Sequence, residues 1–344
     1  MLLEDLFKVA IKEGASDLHL VVGKPPMLRV AGELIPVGKL ELTKKNIEDF
    51  VASILTHEQE ERFRREKELD FAVETKGSGR FRVNIFFEKG EMSLAARVIS
   101  RIIPKIKELG LPEVVKQFTE FPHGLILVTG PTGSGKSTTL ASIIEEINID
   151  RKENIITLED PIEYLFEGKK SIIRQRQLGI DMLSFAEGLK HILRQDPDVI
   201  MVGEMRDLET IAAALTLAET GHLVFATLHT WSAAQTIDRI VDSFPSHQQQ
   251  QIRLQLALTL RGIITQQLLA KKGGGQVAAF EILVNNPAIA NLIRENKIQQ
   301  IRAVMETSSK EGMITLSQNL KKLLKDGVIE KATAESLIVG ERLE

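Results

Sequence analysis

The sequence predicts an α/β protein in which a parallel-rich sheet core follows a small α+β domain. Three observations carry that reading. From residue 124 onward, short β-branched runs (LILVT, IITLE, DVIMVGE, LVFATL) alternate with helical stretches (STTLASIIEEIN, SFAEGLKHILRQ, LETIAAALTLAET), the pattern of βα units. Between the first of these runs and its helix lies a glycine-rich octet, residues 130–137. Before residue 104, LHLVV, MLRVAGEL and FRVNIFF read as strands broken by Gly23, Pro25, Pro26 and Gly32.

In the first domain, 1–103, Leu3, Leu6, Phe7, Ala10 and Ile11 fall at helical spacing and make an amphipathic helix, whose acids Glu4 and Asp5 speak against a secretory signal. Strands fill most of residues 16–103, interrupted by one charged helical stretch over 46–67. Pro104, Gly110, Pro112 and Pro122 punctuate a linker, 104–122, with a single short helix. The second domain, 123–344, opens on the βα units. Helices then dominate as far as Gly273, Gly274 and Gly275, after which the strand VAAFEILV leads into a helical tail over about 286–344. At about 150 residues per domain, a chain of 344 expects this two-domain division.

Composition narrows the function classes. Hydrophobic residues make up 43% and charged residues 26%, so a sizeable core is available. The chain has no cysteine, which removes disulfide scaffolds, thiol catalysis and cysteine-ligated zinc, and fits a reducing, cytoplasmic setting. Lys and Arg total 44 against 47 Asp and Glu, leaving a net charge of −3 and no bulk basic field for a nucleic-acid partner. No run approaches about 18 apolar residues, so any membrane association is expected to be peripheral.

Gly130, Pro131, Thr132, Gly133, Ser134, Gly135, Lys136 and Ser137 fit the pattern G-x-x-x-x-G-K-S/T, follow an apolar strand and open a helix at Thr138. Glycines let the backbone curl so that successive N–H groups point at phosphate oxygens, and the helix N-terminus adds partial positive charge behind them. Lys136 is expected to reach the β- and γ-phosphates and the Ser137 hydroxyl to ligate Mg²⁺, with ATP as the nucleotide.

Hydrolysis needs, besides the loop, a metal-holding carboxylate and a group that orients or deprotonates water. The run from Asp198 to Glu204 is an apolar strand ending in an acid; Gly203 stands where an aspartate is usual, so Glu204 is expected to act through water as well as in catalysis. A second strand ends in Glu159, Asp160, Pro161, Ile162 and Glu163. Here Glu163 is the expected general base, and Glu159 and Asp160 hold Mg²⁺-bound water or position it, the alternative being a solvated turn. His222 and His229 bracket the strand LVFATL; seven residues at about 3.3 Å each set them ~23 Å apart, so both cannot touch one phosphate. A strand parallel to that of the loop places His229 beside the nucleotide, as a γ-phosphate sensor, and leaves His222 to cap a helix or reach another subunit. Arg80 and Arg82 share the polar face of a first-domain strand, and Arg97 and Arg101 follow one strand later. Arg82 and Arg97 are the preferred candidates for a charge delivered to the γ-phosphate by a moving domain.

These residues together resemble the secretion ATPases of type II secretion and type IV pili, the pilus-retraction branch most closely. GASDLHLVVGKPPMLRVAGEL (residues 14–34) is similar to that family's PAS-like N-terminal domain, and GPTGSGKST, LEDPIEY, VGEMRDLET and TGHLVFATLHT resemble its Walker A, Asp box, Walker B and His box. The family pattern also has glycine at position 203. AIANLIRE (residues 288–295) resembles the C-terminal retraction motif AIRNLIRE, with Ala290 replacing an arginine; Asn291, Leu292, Ile293, Arg294 and Glu295 match. The resemblance implies a RecA-like P-loop ATPase core, a homo-hexameric ring, a type IV pilus inner-membrane platform protein as partner, and a cytoplasmic motor peripheral to the membrane that retracts the pilus in twitching motility. The rivals are a pilus-assembly or type II secretion ATPase, which usually carries a four-cysteine zinc site and more sequence before the loop, a DNA-translocating RecA-like motor, against which one Trp and one Tyr speak, and a module that binds ATP without turnover.

Overall fold

The computed structural model describes residues 2–30, 32–75, 79–99 and 102–335. The chain divides into two compact units between Ile102 and Ile103, with the short segment Glu163–Leu165 grouped with the first.

The first unit contains α1 (Leu3–Lys12), β1 (Asp17–Leu20), β2 (Met27–Val30), β3 (Glu33–Pro36), α2 (Lys44–Ala52), α3 (His57–Glu66), β4 (Glu68–Thr75), β5 (Gly79–Glu88) and β6 (Glu91–Ile99). Its strands form one antiparallel sheet in the order β3-β2-β1-β6-β5-β4. The apolar stripe of α1 buries Leu3, Leu6, Phe7 and Ala10, while Ile11 at the stripe's edge stays exposed. Phe7 stacks on Phe81 of β5 with ring centroids 4.0 Å apart. The single helix expected over 46–67 is two. Thr43 and Thr56 each accept from the backbone N–H three residues on, and Asn46 and Gln59 bond back, so two capping boxes start two helices.

The second unit runs α4 (Val114–Phe118), β7 (Gly124–Thr129), α5 (Lys136–Asp150), β8 (Asn154–Glu159), β9 (Ile172–Gln177), α6 (Phe185–Ile192), β10 (Val199–Val202), α7 (Leu208–Glu219), β11 (Leu223–Leu228), α8 (Ala233–Asp242), α9 (Ser246–Thr259), β12 (Leu260–Ala270), β13 (Gln276–Val284), α10 (Pro287–Arg294), α11 (Ile301–Thr307) and α12 (Leu316–Lys325). Its strands order as β13-β12-β7-β11-β10-β8-β9, all neighbours parallel except β12 and β13. Every residue of β7, β10 and β11 is buried, as strands covered on both faces require, and two apolar clusters fill the two sides of the sheet.

Two expectations change here. Residues 104–122 are not a free linker: Ile106, Leu111, Val114, Val115 and Phe118 are buried in the cluster that holds Ile126 and Val128 of β7 and Ile143 and Ile144 of α5. Phe118 lies so close to Gly262 that a Cβ there would stand 2.3 Å from the ring. The stretch before the three glycines, read as helical, is an 11-residue strand, β12. Its pairs of apolar residues, Ile263 and Ile264 with Leu268 and Leu269, are separated by polar Thr265, Gln266 and Gln267, which masks a strand. In the fold all three polar residues are buried, and Thr265 pairs with Thr129 at the end of β7.

Candidate functional site

Because β11 and β12 flank β7 in parallel, the C-terminal end of β11 and the middle of β12, at Thr265, lie beside the end of β7 where the loop that follows Thr129 begins. Gly130 has φ +138°, and a Cβ there would lie 2.2 Å from Gln266 O and 2.7 Å from Ser134 Oγ, so the loop can enter only through glycine. Gly135, at φ +86°, precedes the first turn of α5, where Lys136, Ser137 and Thr138 lie half-buried. Thr132 and Gly133 form the exposed rim, and Ser134 is buried. The Lys136 ammonium donates to Gly130 O at 2.8 Å and Pro131 O at 3.0 Å, which holds its charge across the mouth of the loop. The octet therefore has the strand, curl and helix that phosphate binding requires.

Two strands along, β10 stops at Val202, and Gly203 and Glu204 continue past its end. Gly203 N donates to Leu158 O at 2.7 Å, and Thr227 Oγ1 donates to Gly203 O. Tight backbone packing explains the glycine: a Cβ at position 203 would meet Leu158 O at 3.1 Å and Glu159 Cα at 3.3 Å. The Glu204 carboxylate is held from two sides, by Arg206 Nη2 at 2.7 Å on Oε2 and by His229 Nε2 at 3.2 Å on Oε1. His229 turns its other nitrogen, Nδ1, toward Thr132 Oγ1 at 3.5 Å, which joins the loop's rim to the carboxylate. Burial pushes the Glu204 carboxyl up, but the Arg206 hydrogen bond and the charges of His229 and Arg206 outweigh it and hold the group below its ordinary range. Glu204, with Asp160 farther off, in turn raises Arg206.

Glu159 ends β8 buried, its Oε1 accepting from Thr157 Oγ1 at 2.6 Å and Gln175 Nε2 at 3.0 Å. Asp160 is exposed beyond it, and Glu163 is exposed and groups with the first unit. Among the described residues no three acids or histidines converge as a metal cage. With both Glu204 oxygens and Oε1 of Glu159 already engaged by protein donors, the set fits Mg²⁺ reached through water alongside phosphate oxygens and the Ser137 hydroxyl.

The histidines separate as strand geometry requires. His229 follows β11 beside the loop, whereas His222 precedes the strand and donates Nδ1–H to Leu217 O at 3.0 Å, near the C-terminus of α7. In the first unit, Arg82 and Arg97 are direct cross-strand partners on β5 and β6. Like charges placed opposite each other are unfavourable, and each arginine has an acid beside it: Asp70 at 3.7 Å from Arg82 and Asp17 at 2.9 Å from Arg97. Among the described residues the buried Arg80 Nε has no hydrogen-bond partner, and Arg101 lies outside the described residues. On α10, Ile289, Leu292 and Ile293 are buried, Ala290 packs at the edge of the same core, and Asn291, Arg294 and Glu295 form an exposed face. Asn291 donates to Glu295 at 3.1 Å and accepts from Arg294 at 3.3 Å, so Leu292 and Ile293 contribute packing and the polar three contribute surface.

Sequence reasoning missed Arg206, Gln266, Thr157 and Gln175. Arg206 sits two residues past Glu204, a spacing that carries no signal until β10 ends and the chain turns back. Gln266 lies on the strand that was not foreseen.

Residues 1–331 match the family profile of type II/IV secretion system proteins. The chain is 47% identical over 330 residues, 96% of each chain, to the type IV pilus retractation ATPase PilT of Pseudomonas aeruginosa. It is 46% identical over 310 residues, 90% of this chain and 83% of the relative, to a twitching motility protein of Neisseria gonorrhoeae. Among solved structures, the fold superposes with a TM-score of 0.91 and 48% identity on the pilus retraction motor PilT with bound ADP, covering 97% of this chain and 96% of that one.

Proposed function

This chain belongs to the type II/IV secretion system protein family, and on that premise we propose that it is an ATPase motor of type IV pilus retraction, serving twitching motility. It hydrolyses ATP on a RecA-like P-loop core. The observation that carries the enzymatic reading is the meeting of Lys136, His229 and Glu204 at adjoining strand ends, with Thr132 linking loop to carboxylate. The retraction reading is supported by the near end-to-end likeness to a retraction ATPase.

In this proposal the backbone N–H groups of Gly133, Gly135 and Lys136 cradle the phosphates, and Lys136 leaves the carbonyls of Gly130 and Pro131 for the β- and γ-phosphate oxygens. Ser137 would hold Mg²⁺, with Glu159 and Glu204 placed to reach it through water; when bound, the metal would supply positive charge against that developing on the phosphates. Glu204 orients the attacking water, Glu163 acts as its general base with Asp160 positioning it, and His229 reports the γ-phosphate. Arg82 and Arg97 of the N-terminal domain, residues 1–103, are the candidates for a positive charge delivered to the γ-phosphate. The working assembly is a homo-hexamer, cytoplasmic and peripheral to the inner membrane, with the pilus platform protein as its load. Among the described residues no helix is long and apolar enough to cross a membrane.

Steady-state phosphate release tests the chemistry. Glu204→Gln is expected to keep ATP binding and lose turnover by about 10²- to 10⁴-fold, whereas Lys136→Ala loses binding itself. Turnover within about twofold of the parent in Glu204→Gln would remove that residue from the mechanism.

A further inference from the structure

We infer that Gln266 is a positioning residue for the phosphate loop: from a strand outside the motif it grips both ends of the loop and sets how tightly the site holds phosphates. The inference rests on the ATPase reading above. At the loop's entry, the Gln266 carbonyl packs so closely on Gly130 that no Cβ fits between them. At its exit, the Gln266 carboxamide donates Nε2–H to Ser134 O at 2.6 Å and accepts at Oε1 from Thr139 Oγ1, one turn into α5, at 2.8 Å. The same Nε2 lies 3.0 Å from where a Gly135 Cβ would stand, so it fills the space under the loop's last glycine. Next to it, Thr265 and Thr129 join their hydroxyls at 2.9 Å and tie β12 to the last residue of β7. Gln266, Ser134 and Thr139 are all buried, so water does not replace these bonds when they are lost.

A carboxamide supplies a donor and an acceptor side by side without charge at every pH the protein meets. A carboxylate here would lack the donor for Ser134 O and would set a negative charge beneath the phosphates. A loop with three glycines has much freedom to lose, and Gln266 removes that freedom before the nucleotide arrives. Its contacts are the same for bound substrate and transition state. Their loss therefore falls on binding more than on the chemical step.

The test uses the full chain carrying Gln266→Leu, Gln266→Glu or Thr139→Val, with Kd for ATP and ADP from displacement of a fluorescent nucleotide and kcat and KM from phosphate release. Gln266→Leu is expected to weaken ATP and ADP alike and raise KM, each by about tenfold or more, while kcat falls less than about threefold. Thr139→Val weakens both nucleotides by less, and adding it to Gln266→Leu changes nothing further, because its partner is already gone. Gln266→Glu also weakens both. A lowered melting temperature with unchanged Kd in Gln266→Leu would make the residue merely structural and overturn the inference, as would effects of the two single substitutions that simply multiply. If Gln266→Leu does not fold, unchanged Kd in both Gln266→Glu and Thr139→Val overturns it equally. Failure of the ATPase reading is distinguishable, since the parent protein itself would then neither bind nor hydrolyse ATP.

Discussion

Replacing Gly203 by alanine tests whether backbone packing, and not a missing acid, accounts for the glycine before Glu204. The new Cβ would stand 3.1 Å from Leu158 O and 3.3 Å from Glu159 Cα, inside the 3.4 Å at which ordinary contact begins. Both neighbours are backbone, so no side chain can swing aside; the ends of β10 and β8 must part by a few tenths of an ångström, straining the 2.7 Å bond from Gly203 N to Leu158 O. Overpacking of this kind costs about 1–3 kcal/mol. For a body of this size that lowers the melting temperature by roughly 2–12 °C. Glu204 moves with the strand end, and since a displacement of about 1 Å can cost about 10²-fold, a shift of a few tenths is expected to lower kcat several-fold. Gly203→Asp should be worse than Gly203→Ala in both respects, because its carboxylate would face the Leu158 carbonyl. Thermal melting and phosphate release on the two variants decide the matter. A Gly203→Ala protein that melts within about 1 °C of the parent and turns over at full rate would refute the packing argument.

The C-terminal motif divides by burial: Ile293→Ala should cost about 2–5 kcal/mol of stability, while Arg294→Ala should melt within about 0.5 kcal/mol of the parent, keep its ATPase rate and lose retraction in cells. Equal destabilisation by the two would make the motif purely structural. In the first unit, burial raises the Asp17 carboxyl, but the hydrogen bonds from Ser16 and Arg97 and the Arg97 charge more than offset this and lower it. A carboxyl lowered on folding stabilises the native state above its unfolded value, near 3.9, and loses that contribution as pH falls through the folded value. Arg97→Gln should therefore lower stability at pH 7, by less than about 1 kcal/mol for so exposed an arginine, and the gap to the parent should close in acid; a gap that ignores pH would show that the pair does not stabilise the fold.

Holding both oxygens of Glu204 has a chemical consequence. Arg206 and His229 keep the carboxylate ionised and aimed along the strand ends, so its orientation is set before any water arrives. The cross-strand neighbours Arg82 and Arg97 are each matched by an acid, Asp70 at 3.7 Å and Asp17 at 2.9 Å, so the like charges are offset where they face each other.

Much of this was legible in the residues themselves, because it depends on neighbours along the chain. The octet at 130–137 needs only its own glycines, the strand before it and the helix after it, and the fold places all three as read. The period of the apolar runs identified β7, β8, β10 and β11, and with them the strand-end positions of Glu159, Glu204 and His229. The separation of His222 from His229 followed from strand rise alone. What depended on distant parts of the chain was not legible. Gln266 reaches the loop across more than 120 residues of sequence, and its polar neighbours hid the strand that carries it; only the order of strands in the sheet puts β12 against β7. Residues 104–122 looked like a linker because prolines and glycines are local signals, while the burial of Phe118 against Gly262 is not. Residue type and spacing named the groups expected to meet phosphate. Which partners hold those groups in place was decided by the sheet, since hydrogen bonds and burial form between segments that the chain keeps far apart until it folds.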